Sequence, residues 1–153
     1  MVHSMMIRDS LFAVAFGILA LAPSHTGATP ARLSFRSVFA GVAPDGEHCM
    51  WEGSVEGAAS GSLTVALRQV EDPVAAANPV WHVNSRWTVR DTRGARSFTA
   101  DLEGMIDWKA GDVRLAGVIM NGWAKGSWVE VTGRLTAGDL AGAVTIASAV
   151  AHR

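Results

Sequence analysis

The sequence of 153 residues contains no tyrosine and a single cysteine, Cys49. One cysteine excludes an intramolecular disulfide, and free cysteines are among the most buried residues, so we expect this thiol in the interior. The alternative is an exposed thiol that links two chains. Charges are scarce and balanced, with 13 Lys and Arg against 14 Asp and Glu. A balanced surface argues against a nucleic-acid footprint and against a basic face that binds membranes.

The sequence also lacks the usual signatures of catalytic and metal sites. Its glycine-rich segments have no Gly-Lys-Ser/Thr ending that would make a phosphate loop. His82 has no second histidine at metal-ligand spacing, and Ser127 and Ser148 have no base that the sequence places nearby. His48 and Cys49 are adjacent on a strand and point to opposite faces. We therefore expect no metal and no cofactor.

An apolar run occurs near the N-terminus, but it is short. Residues 11–22 form 12 uninterrupted apolar positions, where a membrane-spanning helix needs about 20. A cationic residue precedes the run and small residues follow it, which is typical of an export signal. We predict a signal peptide at residues 1–28, a single mature domain at 29–153, a secreted or periplasmic location and no membrane span in the mature chain. A buried N-terminal helix is the alternative.

The rest of the chain alternates apolar and polar residues, interrupted by glycine-bearing turns at hairpin spacing. This pattern predicts antiparallel strands with one buried face. We expect eight strands, at residues 32–39, 49–56, 62–70, 80–90, 97–108, 112–120, 127–135 and 140–147. Eight strands leave two exposed edges unless the sheet closes, so we predict an all-β fold, an eight-stranded antiparallel up-and-down barrel. A two-sheet sandwich is the alternative.

Matching the apolar faces of neighbouring strands predicts the registers. In the hairpin of the fourth and fifth strands, Val89 lies opposite Phe98 and Arg86 lies opposite Asp101. The next hairpin gives three pairs: Trp108 with Val113, Ile106 with Leu115, and Asp107 with Arg114.

The apolar face is predicted to lie inside the barrel and to line a cavity. Candidate ligand-binding residues on this face are Trp81, Trp87, Leu102, Ile106 and Leu115. Trp108 falls on the same face in this register and is expected in the core.

The opposite face carries the polar candidates, Arg86, Asp101 and Glu103. The two carboxylates are about 6.5–7 Å apart along the strand, and such a pair performs acid–base chemistry when burial raises one pKa. Arg86 opposite Asp101 favours a solvated ion pair instead. Together with Arg86, His82 and Asn84 would suit an anion. If this face lined the lumen, these groups would be the functional residues of a tight oligomer.

A family resemblance rests on residues 98–108 (FTADLEGMIDW), Gly111, 115–118 (LAGV), 121–123 (NGW), 125–126 (KG) and Gly133. This stretch resembles bacterial exported proteins of the allene oxide cyclase barrel-like group, whose plant relatives include allene oxide cyclases and dirigent proteins. The resemblance implies an eight-stranded barrel, often trimeric, with an apolar cavity whose shape steers cyclisation or coupling. No catalytic residue of those plant proteins matches a position here.

Three functions agree with these observations. The first is an exported barrel that binds a small apolar molecule or a protein partner. The second, implied by the resemblance, is an isomerase or cyclase in which Glu103 or Asp101 polarises the substrate. The third is a structural envelope protein that assembles as a homo-oligomer through its sheet.

Overall fold

The computed structural model of the protein describes residues 29–71 and 78–147. Its eight strands are β1 Ala31–Val42, β2 Cys49–Gly57, β3 Gly61–Gln69, β4 Val80–Asp91, β5 Phe98–Asp107, β6 Asp112–Gly122, β7 Trp128–Thr136 and β8 Asp139–Ile146. Each strand pairs antiparallel with the next, and β8 pairs with β1, so the sheet is a closed barrel. The predicted eight-stranded antiparallel barrel is confirmed, and the sandwich is excluded.

The predicted signal peptide lies outside the described residues. Within 29–71 and 78–147, no helix has the length and apolar character needed to cross a bilayer.

All eight strands contribute apolar side chains to the interior of the barrel. Twenty-three apolar residues, Ala59 of the β2–β3 loop among them, have exposed fractions of 0–5%, and the bulkiest are Trp51 and Trp87. An eight-stranded barrel is just wide enough for its interior to be filled by side chains. Burying one large apolar side chain stabilises the fold by about 1.5–3 kcal/mol, so this interior supplies most of the stabilisation. The inverted arrangement, with the polar face lining the lumen, is excluded.

The predicted β4–β5 register is confirmed, because Val89 pairs with Phe98 and Arg86 with Asp101. The predicted β5–β6 register is wrong by two residues. The observed pairs are Ile106 with Val113, Asp107 with Asp112, Met105 with Arg114 and Gly104 with Leu115.

The physical reason for this shift is the turn between β5 and β6. The Asp107 carboxylate accepts hydrogen bonds from the backbone N–H groups of Lys109 and Ala110, at 2.9 and 2.8 Å. The N–H of Gly111 donates to the Asp107 carbonyl at 2.7 Å. Residues 108–111 therefore form the connection, one residue longer than the gap of 109–111 between the predicted strands. A shift of two preserves the face of every side chain.

The same turn carries Trp108 out of the core. Its side chain is 37% exposed, and it packs edge-on against Trp81 with ring centroids 5.0 Å apart. The prediction that Trp108 is a core residue is therefore wrong. Cys49 is also only half-buried, and this burial raises the pKa of its thiol.

Glycines within the strands allow neighbouring backbones to approach closely. A Cβ added at Gly104 would collide with the carbonyl oxygen of Arg114, and one added at Gly117 would collide with that of Asp101. Only glycine fits at these positions without displacing the adjacent strand. Glycine at these positions also suits the bends that strands make in a closed barrel.

A buried carboxylate organises the loops at the β4–β5 end of the barrel. The Asp91 side chain is 1% exposed and accepts hydrogen bonds from the backbone N–H groups of Ser60 and Arg96, both at 3.2 Å. Burial raises the pKa of Asp91, but hydrogen bonds from the backbone of Ser60, Arg96 and Arg93 outweigh it, so the pKa lies below its ordinary value. Ionised Asp91 thus links the β2–β3 loop to the β4–β5 loop.

The barrel closes where β1 meets β8. Pairing runs from Ala31 opposite Ile146 to Ser37 opposite Leu140. The buried Ser37 hydroxyl also donates to the carbonyl oxygen of Leu140 at 3.0 Å.

Candidate functional site

The predicted ligand-binding residues occupy two different environments. Trp87, Leu102, Ile106 and Leu115 point into the interior and are at most 3% exposed. A side chain that lined an open internal cavity would keep solvent-accessible surface. These four side chains keep almost none, so they are packed against their neighbours. Trp81 is half-buried at one end of the barrel, against Trp108. Ligand binding by these five residues stays a prediction.

The polar candidates lie on the outer surface of the barrel. Arg86 Nε donates to Asp101 Oδ1 at 2.8 Å, and Arg86 Nη2 donates to Asp101 Oδ2 at 3.0 Å. These hydrogen bonds lower the pKa of Asp101 and outweigh the opposing effect of burial, and the positive charge of Arg86 adds a smaller lowering. At neutral pH Asp101 is therefore ionised, with both oxygens accepting from one guanidinium.

Glu103 has a different environment on the same strand face. Its cross-strand neighbours are Asn84 on β4 and Ala116 on β6, neither of which carries a charge. In the described part of the chain, Glu103 forms no ion pair and accepts no side-chain hydrogen bond.

Two of the three residues suggested for anion binding already have carboxylate partners. The three are His82, Asn84 and Arg86. His82 Nδ1 is 2.5 Å from Glu71 Oε1, and this hydrogen bond lowers the pKa of Glu71. Arg86 is paired with Asp101, which leaves Asn84 as the one member without a carboxylate partner among the described residues.

An open groove with a volume of about 900 Å³ crosses the outer face of β2 to β7. Six of its lining residues form a single row of successive cross-strand pairs, in the order Met50, Ala66, Arg86, Asp101, Val118 and Trp128. Adjacent strands lie about 4.8 Å apart, so the row is roughly 24 Å long. This volume is in the range of small-molecule sites, about 300–1,000 Å³.

The groove has small residues along its floor and larger side chains at one side. Small residues in its lining include Ala66, Ala116 and Gly117, which bring the backbone close to the surface. Met120 and Trp128 lie at the β6–β7 side and are 52% and 49% exposed. Exposed large apolar side chains beside a groove are typical of binding surfaces.

The loop of residues 43–48 forms the other end of the groove. Asp45 Oδ1 accepts from the backbone N–H groups of Glu47 and His48, at 2.9 and 3.1 Å. Asp45 Oδ2 is 2.6 Å from His48 Nδ1. The two backbone hydrogen bonds, followed by the one to the imidazole, lower the pKa of Asp45 to about 2. The charged carboxylate therefore holds this loop in a defined conformation.

This arrangement is suited to binding. Asp101 has both oxygens engaged, and no group of three or more His, Cys, Asp or Glu side chains within 29–71 and 78–147 is placed to hold a metal ion. The groove instead has an apolar side, at Met120 and Trp128, beside a polar centre, and small-molecule sites use such a combination to fix the orientation of a ligand.

Reasoning from the sequence identified Arg86, Asp101 and Glu103 but not the apolar residues beside them. Met50 and Met120 interrupt otherwise polar positions on the outer face, and this irregularity was the available signal. Trp128 likewise lies on the outer face, at the first position of β7. Pairing of the successive strands β2 to β7 places these residues on one surface.

Comparison with protein-family models, curated proteins and solved structures finds no match.

Proposed function

We propose that the protein is a small exported binding protein that holds an elongated, mainly apolar molecule in the outer groove. The observation that supports this most directly is the exposure of Met120 and Trp128 beside a groove of about 900 Å³. The packed interior of the barrel favours the groove over a central cavity as the binding site.

The shape of the groove favours a long ligand over a compact one. Its lining comes from six neighbouring strands and from the loop of residues 43–48. The small residues of the floor leave room for an extended chain, and thioether and indole side chains adapt to varied apolar surfaces.

Two variants test the proposal. Met120→Ser replaces a groove residue, and Met105→Ser replaces a methionine that is 46% exposed on the outer surface of β5 and does not line the groove. We expect the uncharged apolar dye Nile red to bind the wild type and Met105→Ser equally. Met120→Ser should bind several-fold more weakly, because it loses apolar contact area. The measurement is fluorescence titration of the purified protein.

Two results would overturn this function. One is equal dye affinity in both variants and the wild type. The other is an oligomer in analytical ultracentrifugation that Met120→Ser alone dissociates, because the groove would then be an interface between copies of the chain.

A further inference from the structure

The positive charges of the groove already have partners. Arg86 is bound by both oxygens of Asp101, and Arg68 Nη1 lies 3.8 Å from Glu47 Oε2. The His48 ring is paired with Asp45. An anionic ligand would have to displace one of these carboxylates before it gained a full ion pair.

The negative charges are not matched in the same way. Three carboxylates line the groove, those of Asp45, Asp101 and Glu103, against two arginines. Asp45 and Asp101 have their partners, whereas Glu103 has none among the described residues. A single unpaired carboxylate therefore lies at the centre of the groove.

The surroundings of Glu103 indicate what would satisfy it. On β4 the neighbour is Asn84 and on β6 it is Ala116, neither of which is charged. Arg86 and Arg114 lie diagonally across the neighbouring strands, and in the described part of the chain neither forms an ion pair with Glu103. Trp128 lies on β7, two strands away, or roughly 10 Å across the sheet. A molecule with a cationic head at Glu103 would place its apolar tail over Val118 and Met120 towards the Trp128 ring.

We propose that the groove selects cationic amphiphiles, with the Glu103 carboxylate binding the ammonium head and the Met120–Trp128 side binding the tail. This inference rests on the proposed function of the groove and adds the charge of its ligand. Arg86 acts as a specificity residue by occupying Asp101 and confining the available negative charge to Glu103.

The test uses three ligands with the same decyl tail, each below its micellar concentration. They are decyltrimethylammonium, decyl glucoside and decanoate, which are cationic, neutral and anionic. In isothermal titration calorimetry we expect the cation to bind about fivefold more tightly than the neutral ligand, as for a partly exposed ion pair. Decanoate should bind most weakly. Raising the ionic strength should reduce the difference in affinity between the cationic and the neutral ligand, because salt screens exposed charges.

Variants separate this ion pair from a general effect of protein charge. Glu103→Gln should reduce the affinity for decyltrimethylammonium to that for decyl glucoside. Glu56→Gln changes an exposed carboxylate on β2 that does not line the groove, and it should leave both affinities unchanged. Arg86→Gln frees Asp101, so it should increase the affinity for the cation. A partly unfolded protein would bind every amphiphile more tightly, so the gain should be confined to the cation, with the affinity for decyl glucoside unchanged.

The outcomes distinguish this inference from the proposed function. Equal binding of the three ligands, preferred binding of decanoate, or equal loss in Glu56→Gln and Glu103→Gln would overturn the charge selectivity and leave the groove as a binding site. Failure of all three ligands and of Nile red to bind would overturn both.

Discussion

The interior of the barrel and its outer groove are built from the same strands, yet they have opposite properties. Leu102 and Glu103 are adjacent on β5; the first is 3% exposed inside and the second is exposed outside. The interior depends on filling space, so its side chains contribute to stability. The groove depends on empty space and incompletely satisfied groups, so its side chains contribute to recognition. Substitutions in the interior should therefore change the free energy of unfolding, and substitutions in the groove should change the affinity for a ligand.

The largest expected effect is that of Leu102→Asp, which places a charge in the packed interior. We expect it to lower the free energy of unfolding by more than about 4 kcal/mol, because a buried carboxylate without a partner is strongly unfavourable. Met105→Asp, on the outer face of the same strand, should change it by less than about 0.5 kcal/mol. Urea denaturation measures both, and equal shifts would contradict the assignment of the two faces.

An intermediate effect is expected for Asp91→Asn, which removes the charge that links two loops at the β4–β5 end. The pKa of Asp91 is lowered from its ordinary value of 3.8 in the folded protein. Its ionised form therefore contributes stability above that value, and the contribution is lost as pH falls through the folded pKa. Thermal melts should show a lower Tm for the variant at pH 7.

The difference in Tm between Asp91→Asn and the wild type should shrink as pH is lowered below about 4. Comparison at each pH cancels the titration of the other carboxylates, including Asp45. A difference that stayed constant from pH 7 to pH 2 would show that the charge of Asp91 is not the cause.

The smallest expected effect concerns the ion pair in the groove. A double-mutant cycle of Arg86→Met and Asp101→Asn should give a coupling energy of about 0.2–1 kcal/mol in urea denaturation, because both side chains are solvent-exposed. The pKa of Asp101 is lowered by Arg86, so this coupling is present above the ordinary pKa of 3.8 and disappears at lower pH. A coupling above about 2 kcal/mol would indicate a role in the fold itself.

The fold could be predicted from the sequence because period-two alternation specifies which face of each strand is buried. The Arg86–Asp101 pair followed from matching both faces of one hairpin. The β5–β6 register could not be predicted in the same way, since a shift of two satisfies the apolar pattern equally well. Hydrogen bonds of the Asp107 side chain decide between the two registers.

The groove could not be predicted from the sequence because it depends on the combined registers of several strand pairs. Met50 and Trp128 are 78 positions apart in the chain and lie at opposite ends of one row of cross-strand pairs. Their common surface exists only after the registers of five neighbouring strand pairs have been set. Local alternation contains no information about this combined result.

The contact between β1 and β8 has a consequence for how the barrel forms. Ser37 and Leu140 are 103 positions apart in the chain, whereas the other strand pairs join sequence neighbours. The entropy lost on joining such distant segments corresponds to about 4 kcal/mol, since it grows with the logarithm of loop length. The seven pairings between consecutive strands reduce this entropy loss, because they order the chain between β1 and β8 before the two strands meet. We therefore expect the ring to be completed last, and until then the free edges of β1 and β8 are available to other chains.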